Sequence, residues 1–471
     1  MPLVEYIKQY GRFSRNARLY LLSNGLGGVT LGIILVLYNL YLVSLGYATD
    51  FIGLVLFVGA VGAGVAIFPA GICMDRFGGK ALLIWASVLI GIAGAGQMLF
   101  RTPILLCISV FVVGIGGAFM LVVNAPFLTA NSTPAERPHL FSLNIVVTLA
   151  TTVLGEIVGG ALPLWLRHIP WLMAPLPSWC AWTLAHNPLA RSYQLALLFA
   201  GIIAVPSFIP LFLLRDDRPA TRSRGEDAVV PVILASQTTL PSAKAENSVS
   251  LSSFPAGAPS SYTPFTLRQG RKNLVLWWQR LEPRTLLLSP MTALIIVQIL
   301  IGLGAGMFIP YFNVYFVRHL GASSALFGVI DGAANTLNAV LTLLAPWIVL
   351  RIGRLATLVL PRLLSFPLLL IVGLTGSLPL AAGLYPLRQG LMDMSQGILQ
   401  VYSMEVVPQR QRGLANSSYQ AAFQVAYALG APAGGVIIAR LGYAPVFIAA
   451  TILYLLAIAT LWARFGAAGK I

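Results

Sequence analysis

The sequence predicts an all-α polytopic membrane protein with twelve transmembrane helices in two pseudo-symmetric six-helix bundles. Three observations carry this. Of 471 residues, 58% are hydrophobic and only 9% are charged, against about 25% charged in a soluble domain. The apolar residues fall into twelve runs, each near the roughly 20 residues a helix needs to cross a bilayer. The second half of the chain repeats the first at a nearly constant offset.

Residues 1–18 form a basic arm carrying Lys8, Arg12, Arg15 and Arg18. The first bundle occupies 19–214, with predicted spans at about 19–43, 50–73, 80–100, 103–129, 141–166 and 193–214. The first run is too long for the core of a cleavable signal and is expected to remain as a span. All spans are helical, because an open sheet edge cannot face lipid. The outer loop 167–192 carries Trp171, Trp179 and Trp182, a residue type that prefers the membrane interface. Residues 215–287 form a linker. Its middle, about 225–264, is rich in Ser, Pro and Ala and reads as flexible. Its end, 265–282, mixes basic residues with Trp277 and Trp278, which suits a helix lying among headgroups. The second bundle occupies 288–464, with spans at about 288–317, 324–349, 355–377, 380–405, 414–438 and 444–464, and 465–471 is a tail.

Twelve spans place both termini on one side. With the linker, that side holds 24 of the 30 Lys and Arg; the other holds Arg101, Arg167, Arg191, Arg318, Arg388 and Arg440. Basic loops stay in the cytoplasm, so both termini are expected there, in a multi-pass protein of the plasma membrane. Topology thereby accounts for most of the +16 net charge, and no nucleic-acid partner is implied. Cys73, Cys107 and Cys180 suggest no disulfide framework.

The repeat runs at an offset of 275. Gly53 meets Gly328, Arg76 meets Arg351, Gly78 meets Gly353, Arg137 meets Arg412, and Gly155, Gly159 and Gly160 meet Gly430, Gly434 and Gly435. One residue of slip aligns Asn39 and Tyr41 with Asn313 and Tyr315. Two bundles related this way can rock about a shared midplane cavity.

The short stretch 71–80 reads Gly71, Ile72, Cys73, Met74, Asp75, Arg76, Phe77, Gly78, Gly79, Lys80. Its charges cannot sit among lipid tails, so they fix a turn at the membrane surface. Gly71, Asp75, Arg76, Gly78 and Lys80 fill the pattern Gly-x-x-x-Asp-Arg-x-Gly-x-Lys, and the stretch resembles the loop 2–3 signature of the major facilitator superfamily. That resemblance implies the superfamily fold and alternating access. It also implies a gating role: Asp75 would meet the helix start near Asn416 and Ser417, where free N–H groups favour an anion. The second-half copy has Leu350 in place of the acid, so the tie is expected on one side only. The run 155–160 is similar to the antiporter signature Gly-Pro-x-x-Gly-Gly of drug-efflux members, with Glu156 standing where Pro should be. Proton-coupled members often carry an Arg in span four; here Val110 precedes Gly114, which points proton coupling elsewhere.

Charges inside spans are costly, about 2.5–3.5 kcal/mol each at a helix centre on insertion scales. Glu156, Asp331, Arg388 and Asp393 stand out, and their repeat partners are Ala431, Leu56, Val113 and Ala118. On span ten, at about 100° per residue, Arg388, Gln389, Asp393, Ser395, Gln396, Gln400 and Ser403 share one half of the helix. A polar face at this depth points at protein or water, so it reads either as a wall of the transport cavity or as a structural hydrogen-bond network. Arg388 and Asp331 lie at similar depths, which predicts an ion pair. Asp393 and Glu156 have no obvious cation; with Asp331 they are the proton-coupling candidates. Asn335 and Asn338, together with Asn39, Asn124 and Asn313, are candidate uncharged donors to a substrate.

No phosphate-binding loop is present and the four histidines make no metal-ligand spacing, so no cofactor, metal or enzymatic activity is expected. The expected function is secondary transport by alternating access, as a monomer: proton-coupled efflux, by an antiporter, of a small, partly hydrophobic compound. Uptake of a carboxylate-bearing nutrient bound by Arg388, or a non-transporting receptor or scaffold on this fold, are the alternatives.

Overall fold

The computed structural model describes residues 13–133, 136–174, 183–215, 290–406 and 412–465. The linker 215–287, with its expected interfacial helix, and the tail 465–471 lie outside these apart from their first residues. The basic arm is described only from residue 13, and Trp179, Cys180 and Trp182 are outside as well.

Twelve long helices carry the described chain. The first six are α1 (Arg15–Ser44), α2 (Thr49–Phe77), α3 (Gly79–Leu99), α4 (Pro103–Ala130), α5 (Arg137–Arg167) and α6 (Pro188–Phe212). The second six are α7 (Pro290–Phe308), α8 (Ser324–Ile352), α9 (Arg354–Leu374), α10 (Leu378–Val406), α11 (Arg412–Leu441) and α12 (Tyr443–Phe465). No strand occurs among the described residues. Eleven of these segments are long and apolar enough to cross a membrane. The remaining one is α10, 29 residues long, whose polar face lowers its hydropathy.

The repeat is visible in backbone and packing. Gly78 and Gly353 end α2 and α8 with φ of 82° and 84°. Each closes its helix with an N–H bond to the carbonyl four residues back, Met74 and Val349. A side chain at that φ is strained, which is why glycine holds both places. In the first bundle α1 packs on α5 and α6, and α4 on α2 and α3; in the second, α7 packs on α11 and α12, and α10 on α8 and α9. The bundles meet through two equivalent seams, α2 with α11 and α5 with α8.

One departure from the repeat matters. Beyond Phe308 the α7 helix becomes a 3₁₀ turn (Ile309–Tyr311), a short helical piece (Phe312–Val314) and a π turn (Tyr315–His319). Pro310 has no N–H to donate and breaks the regular ladder. In α1 the corresponding stretch stays regular.

Below, the end of the molecule holding Arg15, Gly78, Gly353 and Phe465 is called the terminal end. The opposite end, with turns at 45–48 and 320–323, is the distal end.

Candidate transport and coupling site

The lobes are fastened at the distal end by two reciprocal pairs of bonds. Asn39 Nδ2 on α1 donates to the Pro310 carbonyl at 2.7 Å. Its repeat counterpart Asn313 donates back to the carbonyls of Val36 at 3.1 Å and Leu35 at 3.2 Å. Thr49 Oγ1 donates to the Gly435 carbonyl at 2.9 Å, and Ser324 Oγ, its counterpart, donates to the Gly160 carbonyl at 2.8 Å. Glycine permits these approaches: a Cβ on Gly53 would come within 2.6 Å of Pro432 Cα, and one on Gly160 within 2.5 Å of the Ser324 carbonyl oxygen. The sequence reading placed Asn39 and Asn313 among the substrate donors. In the structure both are buried and their amide N–H groups serve the opposite lobe's backbone.

The terminal end carries the residues of the 71–80 stretch. Asp75, in the last turn of α2, is exposed. Gly71 sits two turns from the end of α2, Arg76 is exposed with its guanidinium 5.5 Å from the Phe77 ring, and Lys80 is half-buried at the start of α3. The copy in the second lobe keeps the cation–ring contact, with Arg351 5.4 Å from Trp347.

Most of the ionisable groups at membrane depth lie in the second lobe. Arg388 is 1% exposed. It donates through Nη1 to Gln389 Oε1 at 2.9 Å and lies 4.8 Å from the Phe308 ring centroid. Gln389 Nε2 donates to Asp393 Oδ2 at 2.7 Å, and Asn338 Nδ2 donates to the same oxygen at 3.3 Å. Thr342 continues the chain by donating to Asn338 Oδ1 at 3.2 Å. The polar face expected on α10 is therefore a connected network that reaches α8.

The expected Arg388–Asp331 ion pair is not formed. Tyr385, one turn before Arg388 on α10, donates its hydroxyl to Asp331 Oδ1 at 2.8 Å instead. Depth along the membrane cannot reveal which neighbour a carboxylate will bond. Asp393 also differs from expectation. Gln389 bridges it to the Arg388 guanidinium, accepting from Arg388 and donating to Asp393, so a cation stands one side chain away although its own hydrogen bonds come from amides.

Arg362 was not singled out from sequence, though it lies inside the predicted span 355–377 and its repeat partner is the uncharged Ser87. It is 2% exposed and donates through Nε to Ser395 Oγ at 2.7 Å. Tyr454 on α12, 1% exposed, completes the surroundings of the two guanidiniums. Arg388 Nε and Nη2 and Arg362 Nη2 make no hydrogen bond of regular geometry among the described residues, and the Tyr454 hydroxyl lies beside the Arg388 guanidinium.

Glu156 is the one member of this set in the first lobe. It is 0% exposed, and Asn335 Nδ2 on α8 donates to its Oε1 at 2.8 Å across the lobe seam. The first lobe otherwise offers uncharged groups: Asn24 Nδ2 on α1 donates to Asn144 Oδ1 on α5 at 2.7 Å. The repeat would have drawn attention to this pair, since Gln298 and Tyr419 occupy the equivalent places. Asn124 is half-buried on α4 and joins none of these bonds. The side chains of Gln396 and Gln400 lie outside the described residues.

Comparison with known proteins agrees with this architecture. No significant match is found among curated proteins. Among solved structures, the chain resembles a bacterial homologue of the human lysosomal transporter Spinster in an inward-facing, unoccupied conformation. Identity is 14% and the TM-score 0.66, with 95% of this chain and 96% of that one covered. It also resembles a bacterial homologue of the iron transporter ferroportin in an inward-facing state, at 14% identity and TM-score 0.64, covering 98% and 99%. A D-xylose–proton symporter follows at 15% identity and TM-score 0.59, covering 94% and 96%. The family model described as Major Facilitator Superfamily matches residues 20–293 and 294–468. The chain belongs to the Major Facilitator Superfamily and is a multi-pass membrane transporter rather than an enzyme.

Proposed function

We propose that this chain is a proton-coupled secondary transporter that exports a small, partly hydrophobic compound across the plasma membrane by alternating access. The observation that carries the alternating-access reading is the distal fastening. It consists of side-chain bonds to the other lobe's backbone, worth about 0.5–1.5 kcal/mol each, which a modest ligand or proton signal can break and remake. The basic bias of the loops puts the terminal end in the cytoplasm, so the fastened distal end faces out and the cargo site is reached from inside. Glu156, Asp331 and Asp393 are the proton carriers of this reading. The faces of α8 and α10 around Asn338, Gln389 and Asp393, with Asn24 and Asn144 opposite, bind the cargo. The transporter works as a monomer.

The test is flux in proteoliposomes. Compounds that raise the melting temperature of the purified protein are screened for transport with and without an imposed pH gradient. Stimulation of export by inward protons supports the reading; flux indifferent to the gradient for every binding compound contradicts it.

A second reading, uptake of a carboxylate-bearing nutrient, is favoured by one observation. Arg388 Nε and Nη2 make no hydrogen bond of regular geometry among the described residues, and a guanidinium matches a carboxylate in two-point geometry. Counterflow of a carboxylate but not of its amide, abolished by Arg388→Ala, would select it.

A further inference from the structure

Glu156 stands where the two lobes touch. Its Oε1 accepts the cross-lobe bond from Asn335 at 2.8 Å, while Oε2 is buried with no partner among the described residues. Asp331, one turn before Asn335 and on the same face of α8, acts on Glu156 as a like charge. Gly32, Gly328, Asn335 and Tyr385, all among the described residues around Glu156, are neutral. From α1 comes Gly32, whose missing Cβ would fall 2.7 Å from the Glu156 nitrogen. From α8 come Gly328, packed on the Glu156 carbonyl, and Asn335. From α10 comes Tyr385, whose hydroxyl is given to Asp331; Arg388 lies beyond it on the next turn. Among the described residues no cation is among the groups acting on Glu156.

We propose that Glu156 and Asp331 form a proton-operated latch on the distal gate: one shared proton lets the two lobes stay joined at the α5–α8 seam, and its loss drives them apart. Two ionised carboxylates facing each other without a cation repel, and in a membrane interior neither is relieved by water. A single proton removes the repulsion and leaves the Asn335 bond intact. The latch acts on the gate directly, because one turn along α5 from Glu156 lies Gly160, where Ser324 fastens the lobes. The other seam has no such device. Its equivalent positions are Ala431 on α11 and Leu56 and Ala60 on α2, so only one of the two seams senses protons. This assignment rests on the proton-coupled reading above and adds the place where the proton works.

The test reads conformation rather than flux. Cys73, Cys107 and Cys180 are replaced by serine. Spin labels are placed at Thr102 and Ser377, exposed repeat-related positions that begin α4 and α10 at the distal end. Distance distributions are recorded in lipid nanodiscs from acid to alkaline pH. The wild-type background is expected to move from a short to a long distance as pH rises. Glu156→Gln, which keeps an acceptor for Asn335 but cannot ionise, is expected to hold the short distance throughout. Asp331→Asn is expected to flatten the response. A pH response in Glu156→Gln equal to that of the wild type overturns the latch, as does a wild-type distance that ignores pH. A response kept in Glu156→Gln but lost in Asp393→Asn also overturns it while leaving proton coupling standing. Elution as a single folded species, and a short distance matching the wild type at acid pH, separate a locked gate from a misfolded protein.

Discussion

The reciprocal asparagines give a quantitative handle on the distal gate. Consider Asn39→Ala and Asn313→Ala, singly and together. The carbonyls of Leu35 and Val36 sit inside regular α1, so losing Asn313 deprives them only of an additional donor. The bonds lost are those at 2.7 Å from Asn39 and at 3.1 and 3.2 Å from Asn313. At about 1 kcal/mol net per side chain, each single variant shifts the closed-to-open ratio of the distal gate roughly fivefold. The two asparagines lie within one turn of each other's acceptors, so the double variant should exceed either single, with full additivity, about 2 kcal/mol or roughly 30-fold, as the upper bound. Each lobe keeps its own packing, so the melting temperature should change little. The assay is the distance distribution between labels at Thr102 and Ser377, with the open fraction read in both singles and the double. An unchanged open fraction in the double variant would refute the reasoning. So would a large fall in melting temperature with the ratio unchanged, which would make these asparagines part of the fold rather than of a gate.

Other expectations follow from the same geometry. Asp75→Asn should slow transport while leaving thermal unfolding unchanged, because Asp75 is exposed and its expected role is in the gate rather than the core; normal initial rates would remove that role. Arg362→Gln and Asp393→Asn should each lower the melting temperature, and the double variant should cost less than the sum by about 0.5–3 kcal/mol, since the Arg362 charge acts on Asp393; simple additivity would contradict the coupling. Tyr385→Phe removes the 2.8 Å bond to Asp331 and should cost about 1–3 kcal/mol by leaving a buried carboxyl oxygen unserved. It should also change the pH profile of transport, whereas a lower rate with an unchanged profile would reduce Tyr385 to a packing role.

Much of the fold was legible because its determinants are local and repeated. Apolar run lengths gave the spans, and the offset of 275 gave the two bundles; the positive-φ pair Gly78 and Gly353 shows that the offset survives in the backbone itself. The polar half of α10 was also legible, because helical periodicity alone puts Gln389 and Asp393 together. What could not be read depends on how helices far apart in sequence are pressed together. Asn39 and Asn313 align in the repeat, yet nothing in one strand of text says that each will spend its amide on the other's helix. Arg388 and Asp331 match in depth, but it is Tyr385 that bonds the carboxylate. Arg362 carried the same signal as the other charges within spans.

The central claim is that the two ends open in alternation, and a second label pair tests it most directly. Phe77 and Ile352 are exposed, repeat-related positions at the terminal end, as Thr102 and Ser377 are at the distal end. Distances for both pairs are recorded in the same protein under the same series of pH and ligand conditions. The account predicts opposite changes: every condition that lengthens the distal pair shortens the terminal pair. Pairs that lengthen together, or a distal pair that moves while the terminal pair stays fixed, would contradict it.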